Sequence, residues 1–267
     1  SFGLLLGDSH AQAIDRIVRA RAADRGARMV LLWSLGCPPL LPIVTPEMGS
    51  VADSCIARVD TGLRSIEESL GGRLSFAVVE ASWVPYLAVI RPGSPERILI
   101  GALRQTSQAA QSEDDYALFG KLLIRTMERL VAMHVQRILL IGPVPTAPRS
   151  VPSCLIRADR NQLDRDAMCA YTRAEIEAQR TRTVAMLQEV ARRFPNVRYT
   201  DPIGGFCDAT VCRPYDGDTA LFADNNHLSM PGAERLYAAL SADFEWAFAE
   251  ASHAADSSCA SNCGQAP

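Results

Sequence analysis

Apolar residues in this chain gather into five short runs, with stretches of helical periodicity between them. The first run is Gly3-Leu4-Leu5-Leu6-Gly7. The others cover 29–34, 74–83, 137–141 and 197–202. These runs are nearly continuous rather than alternating, as expected of parallel strands buried on both faces. Ile14, Ile17 and Val18 put a helix after the first run. Ile56, Val59, Leu63 and Ile66 predict a helix over 51–70, and Leu122, Leu123, Thr126, Met127, Leu130 and Val131 predict another. His134 closes that helix and is expected to be a helix-end cation rather than a catalytic base. A charged helix follows over 171–193, and a last one carries Leu236, Tyr237, Leu240 and Phe244, with Ser229 as its N-cap and Pro231 in its first turn. Strands alternating with helices predict an α/β fold: a parallel sheet with helices on both faces. Residues 84–112, 149–170 and 203–226 read as loops, the first a surface excursion rich in proline. The stretch 149–170 leaves a strand's carboxyl end and is expected to shape substrate access. After Glu250 the sequence turns small and polar, so residues 1–250 form the domain and 251–267 a flexible tail.

Chemistry enters where the first strand stops. Gly7-Asp8-Ser9-His10 lies between a strand and a helix, so the Ser9 hydroxyl projects from the carboxyl edge of the sheet beside helix-end N–H groups. A serine there attacks a carbonyl if a base reaches it. The same position also suits a plain helix N-cap. Near the other end, Asp224-Asn225-Asn226-His227 places an acid and a histidine three residues apart in a short loop. His227 is able to take the Ser9 proton while Asp224 orients the imidazole, and the order Ser, Asp, His is one of several that build a triad.

Composition narrows the setting. The chain has 267 residues, 48% of them hydrophobic, and a net charge of −3, which leaves no electrostatic footprint for nucleic acid. Its basic residues are scattered arginines; Lys121 is the only lysine. No apolar run approaches the ~20 residues of a membrane helix, and no signal peptide is visible. A chain that opens on a core strand is expected to be a fragment. The eight cysteines include no CxxC pair and have no histidine at ligand spacing, so zinc is not expected. Disulfides in an oxidising compartment are the expectation, with free buried thiols in a cytosolic enzyme as the alternative.

Taken together, these motifs resemble the SGNH (GDSL-type) esterase and acyltransferase superfamily. Gly7-Asp8-Ser9-His10, Cys37-Pro38-Pro39-Leu40, the strand ending in Trp83, Gly142-Pro143-Val144-Pro145, Asp201-Pro202 with Cys207 and Cys212, and His227-Leu228-Ser229 with Gly232-Ala233 are similar to one branch of it. That branch is the extracytoplasmic SGNH domain fused to membrane acyltransferase family 3 proteins, which O-acetylate peptidoglycan, lipopolysaccharide and polysaccharide. The resemblance implies a three-layer, flavodoxin-like fold with a five-stranded sheet in the order 2-1-3-4-5. It implies catalysis by Ser9, Asp224 and His227, with no cofactor and no metal.

Gly36 is the nearest candidate for an oxyanion glycine, or a plain turn residue. The superfamily's third-block asparagine is missing, since the chain reads Glu80-Ala81-Ser82-Trp83 there. Trp83 and His10 are candidate substrate contacts; a core aromatic and surface packing are their alternatives. Asp8 is expected to hold the turn. Local order and the resemblance together favour disulfides Cys37–Cys55, Cys154–Cys169 and Cys207–Cys212, and Cys259–Cys263 is a candidate fourth in the tail. The resemblance further implies a surface-glycan acceptor, an acyl donor passed from a membrane acyltransferase domain, a periplasmic location tethered through a transmembrane domain ahead of residue 1, and a monomeric isolated domain. The alternatives are a secreted carbohydrate esterase, a metal-dependent hydrolase using Asp8, His10, Asp224 and His227, and a non-catalytic sugar-binding module.

Overall fold

A computed structural model describes residues 1–41, 51–70, 73–87 and 114–249. Five parallel strands form the central sheet: β1 (Phe2–Gly7), β2 (Arg28–Trp33), β3 (Leu74–Glu80), β4 (Arg137–Ile141) and, past a two-residue β5 (Tyr171–Thr172), β6 (Val197–Thr200). Their order is β2-β1-β3-β4-β6, the flavodoxin-like arrangement. Leu4, Leu5 and Leu6 are all fully buried because successive side chains of β1 enter opposite layers. Leu4 and Leu6 pack with Val59, Leu63, Phe119, Leu122 and Leu187, while Leu5 packs with Ile14, Val18, Leu155, Leu236 and Phe244.

The helices of the first layer are α2 (Val51–Leu70), α4 (Asp115–Ala132) and α7 (Arg173–Arg192), with α3 (Trp83–Leu87) a single turn after β3. The second layer holds α1 (Ser9–Ala23), α5 (Val151–Arg160), α6 (Arg165–Cys169), α8 (Met230–Ala239) and α9 (Ser241–Phe248). None of the described helices is long and apolar enough to cross a membrane.

Three expectations change. The loop expected over 149–170 is largely helical, forming α5 and α6 joined by the Cys154–Cys169 disulfide. Pro152 stands in the first turn of α5, where a missing N–H costs nothing. The last helix is two, broken at Leu240, whose N–H closes α8 on the Leu236 carbonyl. Pro85 lies inside α3 rather than in irregular chain, again within a first turn; residues 88–113 lie outside the described residues. The expected tail and Cys259–Cys263 also lie outside them. Cys37–Cys55 and Cys207–Cys212 are disulfides as expected.

Candidate active site

The sheet order turns at β1, with β2 on one side and β3 on the other. Crevices that bind ligands form at the carboxyl ends of strands beside such a turn. Ser9 stands there as the first residue of α1. Asp8, not Ser9, is the helix N-cap: its Oδ1 accepts from the His10 N–H at 2.8 Å. The Ser9 hydroxyl is therefore free of capping, and it lies 2.8 Å from His227 Nε2. His227 Nδ1 lies 2.6 Å from Asp224 Oδ2. A carboxylate only accepts, so Nδ1 carries the proton and Nε2 keeps a lone pair for the Ser9 O–H.

The loop carrying this pair is fixed from several sides. Asp224 Oδ1 accepts the backbone N–H groups of Asn226 and His227, each at 2.8 Å. Ala147 N–H donates to the Asn225 carbonyl at 2.7 Å, and Val151 N–H to that of Asp224 at 2.9 Å. Partial burial works to raise the Asp224 pKa. The hydrogen bonds from Asn226, from the His227 backbone and from its ring outweigh burial and hold the carboxyl below its ordinary value. The loop after β4 is braced in turn by Arg180, which donates to the Pro143 carbonyl at 3.0 Å and pairs with Asp201 at 2.6 Å. The Gly-Pro-Val-Pro and Asp-Pro motifs thus meet in one structural clamp.

Asp8 ties the nucleophile turn to the end of β3. Its Oδ2 accepts from the Ser82 N–H at 3.0 Å and the Tyr86 O–H at 2.7 Å. Beside Ser9 opens a cavity of about 210 Å³, walled by Leu35, Gly36, Ser82, Pro85, Tyr86, Asn226 and His227. Gly36 has φ +64°, a left-handed conformation that glycine adopts without penalty, and its backbone faces this space. A larger groove of about 540 Å³ lies along β6, between Phe194, Tyr199 and Trp246, far from Ser9 in the fold. It contains no nucleophile–base pair, so the smaller cavity is the candidate site.

Two expected substrate contacts are corrected. Trp83 is fully buried; its indole N–H donates to the Ile141 carbonyl at 2.8 Å and its ring meets Phe119 edge-on. His10 is 4% exposed, with its ring 4.9 Å from that of His227 and its Nδ1 3.8 Å from Glu80. Burial pushes the His10 pKa down to about 4, and burial followed by the Asp8 charge holds Glu80 well above the carboxylate range. Neither side chain reaches the cavity. The residues that do, and that the sequence reading passed over, are Leu35, Ser82, Pro85, Tyr86 and Asn226. Asn226 was within reach, standing inside the Asp–His motif. Among the described residues, Asp8, His10, Asp224 and His227 do not converge as a metal-binding cluster.

A family model described as the SGNH domain (fused to AT3 domains) matches residues 2–242. A search of curated proteins finds no match. Among solved structures, the periplasmic domain of the lipopolysaccharide acetyltransferase of Salmonella serovar Paratyphi A is similar. The TM-score is 0.57 at 15% identity, with 91% of this chain and 82% of that one covered. That likeness concerns the fold. A protein from Streptococcus pneumonia assigned as a platelet activating factor follows at TM-score 0.46 and 11% identity, over 91% of this chain and 82% of that one, too distant to argue from. With the family model spanning the sheet, the Ser9 turn and the Asp224–His227 loop, the chain belongs to the SGNH domain family, in the branch fused to AT3 domains.

Proposed function

We propose that this domain is a serine O-acyltransferase that moves an acetyl group to a hydroxyl of a cell-surface glycan. The observation that carries the proposal is the hydrogen-bonded chain Ser9–His227–Asp224 at the mouth of a small, mostly apolar cavity. Family membership and the fold shared with a lipopolysaccharide acetyltransferase domain support the choice of acyl transfer.

In the first half-reaction Ser9 Oγ adds to the acyl carbonyl while its proton passes to His227 Nε2. The Asp224 carboxylate stabilises the imidazolium. The Ser9 and Gly36 backbone N–H groups are suited to receive the carbonyl oxygen as it gains charge. The tetrahedral centre then collapses, the donor C–O bond breaks, and the donor oxygen leaves with the His227 proton. In the second half His227 takes the proton of a sugar hydroxyl, whose oxygen bonds the acyl carbon. Ser9 Oγ departs and recovers a proton from His227. The cavity is below the usual range for ligand pockets, which favours a short acyl chain. Three disulfides suit an extracytoplasmic site of action. A membrane tether and a donor handed over from a membrane acyltransferase domain belong to the same proposal, by analogy with the fused proteins.

The test is intact-mass analysis after brief exposure to an activated acetyl ester. Wild type should gain one acetyl group, located on the Ser9 peptide, and Ser9→Ala should gain none. An adduct elsewhere, or unaltered turnover by Ser9→Ala, would contradict the assignment.

A further inference from the structure

The cavity beside Ser9 offers an adding carbonyl more than backbone N–H groups. Besides Ser9 and His227 themselves, three of its lining side chains carry hydrogen-bond donors: Ser82, Tyr86 and Asn226. The Tyr86 hydroxyl is engaged by Asp8 at 2.7 Å. Asn226 has two amide N–H bonds, and among the described residues its recorded side-chain partner is Ser82 Oγ at 3.5 Å. That is longer than a good N–H···O hydrogen bond. At least one amide proton is therefore available to a ligand in the cavity.

The backbone of Asn226 is held firmly. Its N–H donates to Asp224 Oδ1 at 2.8 Å, and the preceding Asn225 carbonyl accepts from Ala147. The next residue is His227, whose Nε2 meets Ser9. Asn226 thus lines the cavity from the loop that carries the base, Ser9 from the start of α1 and Gly36 from the loop after β2. Three segments surround one space with neutral donors. An amide suits the task better than a cation, because it stabilises negative charge without opposing the His227 imidazolium nearby.

Building on the acyl-enzyme reading above, we propose that Asn226 is a catalytic residue whose Nδ2–H donates to the oxyanion formed when Ser9 adds to the acyl carbonyl. In that step the carbonyl π pair moves to oxygen and the Ser9 proton moves to His227. The oxyanion returns its pair when the donor oxygen leaves with that proton. Asn226 forms and breaks no covalent bond, and its donation strengthens only as charge develops.

The experiment uses the whole chain with 4-nitrophenyl acetate, and measures the rate of Ser9 phosphonylation by a fluorophosphonate in parallel. Asn226→Ala should lower kcat by about 100- to 1000-fold, as loss of one oxyanion donor does elsewhere. KM should move by no more than a few-fold, phosphonylation should slow in step with kcat, and the pH dependence of kcat should keep its position. A folded Asn226→Ala with kcat within about threefold of wild type would overturn the proposal. If Asn226→Ala does not fold, the near-isosteric Asn226→Asp decides. It should lose at least as much kcat at every pH, and near-normal turnover would overturn the proposal. Ser9→Ala, run alongside, separates the two layers. A dead Ser9→Ala beside a fully active Asn226→Ala removes Asn226 alone, whereas an active Ser9→Ala removes the acyl-enzyme reading and this proposal with it.

Discussion

Two histidines stand side by side, and burial gives them different work. His227 keeps 33% of its side chain exposed and meets a partner on each nitrogen, whereas His10 is enclosed and its Nε2 has no partner. The His10 pKa, down to about 4 from 6.5, has a consequence for stability. On acidification the unfolded chain binds this proton first, so the His10 contribution is present above pH 6.5 and lost as the pH falls toward 4. It amounts to about 3 kcal/mol at most. Glu80 acts with the opposite sign: its contribution is present below about 4.5 and fades as the pH rises through its raised pKa. Comparison with His10→Gln isolates the first term. Between pH 6.5 and 4 the melting temperature of wild type should fall more steeply than that of His10→Gln; parallel curves would show that His10 does not titrate as buried. Ser9, Asp224 and His227 were legible in the sequence because their residue types and their places beside strand and helix ends are what the chemistry requires. The roles of His10 and Trp83 were not, since which side of a turn faces the core is decided by tertiary packing. The Ser9 N-cap alternative failed because the preceding Asp8 takes that duty.

At the scale of elements, the site depends on how closely β1 and β3 approach. A Cβ on Gly7 would come within 1.7 Å of the Glu80 carbonyl oxygen. Gly7→Ala must push the two strands apart just before Ser9, and should cost about 1–3 kcal/mol along with most of the activity. Gly204→Ala is the control, because nothing lies within 4 Å of the added methyl and φ there is ordinary. Equal melting temperatures for the two variants would remove the argument. Arg180, 5% exposed, joins α7 to Asp201 and to the loop after β4. Replacing it by Leu leaves the Pro143 carbonyl without its side-chain donor and the part-buried Asp201 carboxylate without its guanidinium, with only the Ile203 N–H still donating to it. The expected cost is about 2 kcal/mol, read by denaturant unfolding, with a smaller loss for Arg180→Lys. The five strands were legible because their apolar runs lack helical period. The helical 151–169 stretch was hidden by its proline and cysteine content, and the Arg180 clamp by the even spread of charge along its helix. Thr172 and Glu175, which form a capping box at the start of α7, explain why that helix begins two residues later than its charge pattern implied.

Over the whole molecule, the loops after β1, β2, β3 and β4 meet at one edge of the sheet, and the Asp224–His227 loop closes over them. The Cys37–Cys55 disulfide anchors the loop after β2 to α2, and Cys207–Cys212 lies ahead of the Asp224–His227 loop. Such bridges limit the excursions of the walls that enclose Ser9. The same triad serves an esterase and a transferase; what separates them is whether a sugar hydroxyl meets the acyl-enzyme before water does. A bound acceptor gains an effective concentration that outcompetes bulk water, by the logic that gives ~10⁵ M or more in well-oriented intramolecular reactions. The most direct measurement is therefore the partition of the acyl group. Given an activated acetyl ester and a panel of surface-polysaccharide fragments, wild type should yield acetylated sugar. The acceptor should speed acyl-enzyme breakdown, and both effects should vanish in Ser9→Ala and His227→Ala. Free acetate alone across the panel, with efficient stripping of acetylated polysaccharide, would contradict transfer and identify the domain as an esterase.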